Sequence, residues 1–298
     1  FDITSDGDGI SAGNWLQADG GVYTVKAGGG SENVQKSDGE WQFGPGQQTE
    51  STDTTEEDTV SMKAIKAAGE LILKGGKYSL DSADDTIHSN ANITISDGEF
   101  TLASGDDGIH ADSATTISGG TIDITESYEG IEGLSIDITG GETYVSGPTN
   151  DGNSALDYNG TGTVTGGIFI AAGSSGMAEN FGDSSTQGVM MVTVNSQAAG
   201  SAVSLSDSSG NEKEYTSVII SCPEITTGQE YTLTTGSDTT QITMDSIVYG
   251  SGSGMGGNPG NGGGPGNGGD MGQKPDDGNG TGKGSGDGGN MGTPPEKS

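Results

Sequence analysis

The chain has 298 residues, of which 58 are glycine and 8 proline, with 28% hydrophobic and 5% aromatic side chains. Its formal charge is −33, from 43 acidic residues against ten lysines and no arginine. That leaves no basic surface to displace counterions from phosphates and excludes nucleic acid as a partner. No apolar run approaches the ~18 residues of a membrane span, so no membrane insertion is expected; one cysteine, Cys222, excludes an internal disulfide and reads as a small buried residue.

Phe1 begins inside a repeat with no signal peptide before it, so a trimmed N-terminus is expected. Along the chain a hydrophobic residue is followed, about ten positions later, by a Gly-Gly or Asp-Gly pair and an alternating apolar run. Ile10 leads to Gly20-Gly21, Ile65 to Gly75-Gly76, Ile87 to Asp97-Gly98, Ile109 to Gly119-Gly120, Ile131 to Gly140-Gly141 and Leu156 to Gly166-Gly167. Between Ile65 and Ile131 the step is 22 residues each time. Such a period means one supersecondary unit stacked on copies of itself. Before the glycines the stripes read Leu71/Leu73, Ile93/Ile95, Thr115/Ile117 and Ile136/Ile138; after them, Tyr23/Val25, Tyr78/Leu80, Phe100/Leu102, Ile122/Ile124 and Phe169/Ala171. Period-2 alternation gives strands with one buried face, and the glycines permit a sharp corner. With the short segments around Ile87 and Ile109 this makes three strands per repeat, the rung of a parallel β-helix with rungs about 4.8 Å apart. Tyr23, Tyr78, Phe100 and Phe169 fall in one column, read as an internal aromatic stack.

Residues 28–61 interrupt the repeat with a Gly-rich and then Thr/Glu/Asp-rich stretch, expected to be a long mobile loop. The β-helix is assigned to 1–194. An antiparallel cap follows at 195–250, with 202–205 and 217–220 read as hairpin strands. Residues 251–298, almost without apolar side chains, are expected to be a disordered linker or tail.

In a β-helix, equivalent repeat positions stack, so columns carry the chemistry. Two positions before the leading hydrophobic residue stand Lys63, Asp85, Asp107 and Glu129, and three before it Asp84 and Asp106. Immediately after it come Lys66, His88, His110 and Glu132. The first rung adds Asp6 and Asp8, the last Asp151 and Asp157, and Asp112 follows His110. Good turn chemistry explains one Asp per corner. It explains Asp84-Asp85 over Asp106-Asp107 poorly, since carboxylates at rung spacing repel unless a cation sits between them. Calcium, a hard cation that takes oxygen ligands, is the expected cofactor. Zinc on His88 and His110 is an alternative, as is a plain polar outer ladder.

The runs Ser82-Ala-Asp-Asp-Thr-Ile-His-Ser, Ser104-Gly-Asp-Asp-Gly-Ile-His-Ala-Asp112 and Ser127-Tyr-Glu-Gly-Ile-Glu-Gly133 closely resemble a family of bacterial secreted carbohydrate-binding β-helix proteins. Ala155–Gly160, Ala172–Met177 and Tyr215–Pro223 are similar to its motifs, and the likeness covers nearly all of residues 1–250. The resemblance implies a right-handed parallel β-helix like that of pectate lyases, bound calcium, and binding to cellulose or acidic plant polysaccharides, by proteins regarded as binders rather than enzymes. The first rung departs from the pattern in lacking a His, and the last in lacking an adjacent acidic pair.

The reading is therefore a calcium-dependent polysaccharide-binding protein, monomeric and extracellular, secreted or attached to the cell surface, whose ligand is polygalacturonate (pectin) or cellulose. The expected metal ligands are Asp84, Asp85, Asp106, Asp107, Glu129, Glu132, Asp6, Asp8, Asp112, Asp151 and Asp157. Lys63, Lys66, His88, His110, Tyr128 and Tyr158 are the expected carbohydrate contacts. The alternatives are a calcium-assisted lyase with Lys63 or Lys66 as base, and a structural surface or adhesin β-helix. A lysine base needs a lowered pKa, whereas neighbouring carboxylates raise it; acids committed to calcium likewise disfavour a hydrolase.

Overall fold

The computed structural model describes residues 1–33, 60–197, 201, 203–204 and 215–250; the expected tail 251–298 and most of the expected loop, residues 34–59, lie outside them. The described residues are almost entirely β, with a single 3-10 turn at Ser31–Asn33 and no α-helix. They form a parallel β-solenoid of about seven turns with a spacing of about 22 residues.

Each rung contributes three faces. On the first, Ile10, Ile65, Ile87, Ile109, Ile131 and Leu156 stand one above another in continuous parallel register. On the second, Leu71, Ile93, Thr115 and Ile136 do so. The third carries Val25, Leu80, Leu102, Ile124, Val145 and Ala171. All these residues except Ile10 are buried, and each large apolar side chain taken out of water contributes about 1.5–3 kcal/mol. Between the second and third faces the second glycine of each pair has positive φ, from 82° at Gly141 to 130° at Gly98. At Gly120 a Cβ would also stand 2.8 Å from the Gly98 carbonyl oxygen of the neighbouring rung. Glycine is therefore required twice over there, by backbone sign and by close approach.

Tyr23, Tyr78 and Phe100 stack face to face at 4.7 and 4.5 Å, and Phe1 extends the row at 5.2 Å from Tyr23. Phe169 shares their column but not their stack: Ile122 and Thr143 occupy the intervening rungs, and Phe169 packs edge-on against Phe181 at 5.0 Å. The aromatic row ends where the repeat substitutes aliphatic and hydroxyl side chains.

The parallel stack ends at strand Ile168–Gly173, which pairs antiparallel with Tyr215–Ser221. That strand pairs antiparallel on its other edge with Val189–Gln197. The expected hairpin between 202–205 and 217–220 does not form, since Val203–Ser204 instead pairs with Thr234–Thr235 in a separate sheet completed by Asp238–Thr243. The physical reason is burial. Val218, Ile219 and Ile220 are buried on both faces, between the solenoid core and a second cluster containing Met190, Val192, Leu233 and Ile242. A strand covered on both faces belongs inside a sheet, and its apolar run does not name its partner. Cys222 packs half-buried against this second cluster.

Candidate functional site

The corner before the first face and the outward side of that face meet in one groove. Backbone hydrogen bonds step along the corner, from Gly9 N to Lys63 O, Ala64 N to Asp85 O and Thr86 N to Asp107 O, and Asp107 pairs in register with Glu129. On the face, the residues after the leading hydrophobic column stack as Ser11, Lys66, His88, His110, Glu132 and Asp157. The leading residues point into the core, so their neighbours point out. A depression of about 340 Å³ lies where the two columns meet, lined by Lys63, Asp85, His88, Asp106, Asp107, His110, Tyr128, Glu129, Glu132 and Asn153.

At one end the charges are paired. Lys63 Nζ donates to Asp84 Oδ1 and Asp85 Oδ2, both at 2.6 Å, and His88 Nδ1 lies 2.7 Å from the same Asp85 oxygen. Burial alone would push the Asp85 carboxyl up, but the hydrogen bond from His88 and the Lys63 ammonium outweigh it and hold the group down at about 2. Lys63 is held above its ordinary value: burial opposes this, and Asp85 and Asp84 overcome it. A lysine so held is a poor base.

At the other end carboxylates face one another without a lysine. Asp107, 5% exposed, is pushed far up by burial and then by Asp85, Asp106, a hydrogen bond with Glu132, and Glu129. Asp106 is exposed as a whole residue, yet desolvation of its carboxyl, followed by Asp85 and Asp84, raises it to about 6. Burial first, then Glu132 and Asp157, raise Glu129 to about 8. Burial and Glu132 raise Asp157. His110 sits amid these acids, its Nδ1 3.0 Å from Asp107, 3.3 Å from Glu132 and 3.6 Å from Asp85. Three groups bring candidate ligand atoms within 4.8 Å of one another: Asp85 with His88 and His110, Asp107 with His110 and Glu132, and Asp84 with Asp85 and Asp106.

The other expected residues stand apart from this cluster or at its rim. Asp8 accepts from Ser61 Oγ at 2.7 Å and from the Lys63 amide at 3.0 Å, as a turn residue does. Asp6 is exposed at the same corner, and Asp151 accepts from the Ser174 hydroxyl. Asp112, at the rim, lies 3.7 Å from His110 Nε2. Lys66 Nζ donates to Ser61 Oγ at 3.2 Å. Tyr128 is 46% exposed beside the depression. The Tyr158 ring is tied down instead: its hydroxyl donates to the Asn180 carbonyl at 2.7 Å, and a Cβ on Gly162 would stand 2.3 Å from the ring.

Two residues extend the site beyond the sequence reading. Glu179 accepts from the Tyr158 amide at 3.1 Å, which places it above Asp157, and burial followed by Asp157 raises it to about 7. Its signal was present, since it stands 22 residues after Asp157. Buried Asn153 donates to Glu129 Oε1 at 2.8 Å. Counted back from Leu156 it stands three positions before the leading residue, in the column of Asp84 and Asp106, so its signal too was present in the sequence.

Residues 1–108 match a family model described as carbohydrate-binding domain-containing protein. The matched part carries Lys63, Asp84, Asp85, His88, Asp106 and Asp107, and stops short of Glu129 and Glu132. No match was found among curated proteins or among solved structures. Among the described residues no helix is long and apolar enough to cross a membrane.

Proposed function

We propose that this chain is a polysaccharide-binding protein whose groove recognises an acidic plant cell-wall glycan, polygalacturonate or pectin, through a bound calcium ion, and that it works outside the cell. The observation that carries the reading is Asp107: a carboxyl 5% exposed, surrounded by Asp85, Asp106, Glu129 and Glu132. Burying like charges together is costly unless a cation joins them. The donor set fits a hard cation: Asp107 and Glu132 bring ligand oxygens together beside His110, and Asp106 and Glu129 add carboxylates lining the same depression, oxygen atoms of the kind calcium takes; these four acids would hold the ion. When bound, calcium supplies the positive charge that a uronate carboxylate needs in order to approach a surface this acidic.

The family match over residues 1–108 supports a carbohydrate as the ligand. The groove supports a charged sugar over a neutral glucan. Flat glucan chains are met by rows of exposed aromatic rings, whereas here Tyr128 is the aromatic side chain lining the depression. Lys63 and His88 hold the Asp85 carboxylate, and the first face presents Lys66 to the ligand on the metal-free side, while His110 stands among the acids proposed to hold the metal.

Retention by polygalacturonate in an affinity gel, run with calcium and then with EDTA, tests the reading. Retardation that disappears in EDTA is the expected result. Equal mobility in both buffers, with and without the polymer, refutes uronate recognition and leaves cellulose binding or a structural surface role.

A further inference from the structure

We propose that Lys63 is a built-in cation: its ammonium neutralises the Asp84-Asp85 pair between the Ile65 and Ile87 rungs, as the proposed calcium ion would neutralise the acids of the Ile109 and Ile131 rungs, and it thereby confines exchangeable metal to one end of the groove. The inference rests on the metal-dependent reading above and adds what sets the extent of the metal site.

The repeat supplies its own comparison. Asp84-Asp85 and Asp106-Asp107 are the same acidic pair one rung apart, each following a serine, Ser82 or Ser104, that donates to a corner carbonyl. Beneath the first pair stands Lys63, whose Nζ touches both carboxylates at 2.6 Å. Beneath the second pair the same column presents Asp85, whose Oδ1 accepts from the Asp107 amide at 3.2 Å, and above it stands Glu129. The two acidic pairs thus differ in what stands beneath them, an ammonium of the chain at the first and a carboxylate at the second.

The lysine is held in that role. Its side chain is 13% exposed, its amide donates to Asp8 and its carbonyl accepts from Gly9. The two carboxylates it touches belong to a cradle that a metal ion would also suit, since Asp84 and Asp85, with Asp106 of the next rung, bring ligand atoms within 4.8 Å of one another. An ammonium is a compact point charge with three donors; with two of them and its charge committed to Asp84 and Asp85, it neutralises the pair but, unlike a metal ion with open coordination positions, has little left with which to bridge to a further carboxylate. One end of the groove is therefore permanently neutralised by the chain itself. At the other, the cation can be exchanged and can bridge to an acidic sugar. A bound uronate chain would meet calcium at the Ile109–Ile131 end alone.

Calcium bound per chain, measured by titration calorimetry and by metal analysis after dialysis, tests this on the full chain with Lys63→Met and Lys63→Arg. Lys63→Met keeps the length of the stem and removes the charge. It is expected to bind one calcium ion more than the unmodified chain and to gain more in melting temperature on calcium addition. Lys63→Arg, which keeps a cation, is expected to match the unmodified chain. The count in the unmodified chain tests the metal-dependent reading, and the difference made by Lys63→Met tests the role of Lys63, so the two can fail separately. Equal counts in the unmodified chain and a folded Lys63→Met overturn the inference. A Lys63→Met chain that stays unfolded in calcium also overturns it, because the ion should replace the lost ammonium.

Discussion

Raising the pH of the calcium-free protein from 5 to 8 should destabilise it, with Glu129 as a principal cause. Its carboxyl is raised from the ordinary 4.5 to about 8, by burial first and then by Glu132, Asp157, Asp106 and Asp85. The folded state therefore keeps a proton that the unfolded chain releases above pH 4.5. This contribution is fully present below that value and is lost as the pH rises towards 8. At about 1.36 kcal/mol per pH unit the interval has an upper bound of about 5 kcal/mol. Glu129 is only half-buried and its groove is open to water, so screening reduces the effect to about 1–2 kcal/mol. For a chain of this size that is a fall in melting temperature of about 2–8 °C. The assay is thermal unfolding followed by circular dichroism in EDTA at pH 5, 6.5 and 8, for the unmodified chain and for Glu129→Gln. The general self-repulsion of the acidic surface acts on both, so the difference in slope isolates Glu129. Calcium should reverse the trend, because it binds the deprotonated ligands and its affinity rises with pH. Identical slopes for the two chains in EDTA would refute the reasoning.

Asp107→Ala should lose both the gain in melting temperature on adding calcium, about 2.7 kcal/mol at a hundredfold excess over Kd, and retention by polygalacturonate; retention kept while the thermal gain is lost would separate the metal from the ligand. Tyr128→Ala should weaken glycan retention without moving the melting temperature, since the ring is largely exposed, and unchanged retention would remove it from the ligand path. Tyr78→Ala, at the centre of the aromatic row, should cost about 3–5 kcal/mol in urea unfolding, with calcium binding intact in the folded fraction. Gly120→Ala combines a φ of 89° with a Cβ 2.8 Å from the neighbouring carbonyl oxygen and should cost about 1–3 kcal/mol, again by urea unfolding.

What the sequence by itself determined is the stack and its columns. In a parallel solenoid, residues one period apart sit directly above one another, so a constant step of 22 places His88, His110 and Glu132 in one outward row without any knowledge of side-chain geometry. The same step reaches Glu179, and counting three back from Leu156 puts Asn153 in the column of Asp84 and Asp106, though that its amide donates to Glu129 only the side-chain geometry shows. Where the period stops, so does the inference. The run 217–220 reads as a strand, but its partners, 168–173 and 189–197, follow from being buried on both faces. Only the tertiary structure decided how the acidic columns are charged. Asp85 and Asp107 are equivalent in the repeat, yet Lys63 and His88 hold one down while burial among acids pushes the other up. The period specifies which residues are neighbours; reach, burial and the sign of the nearest charge specify what those neighbours can do.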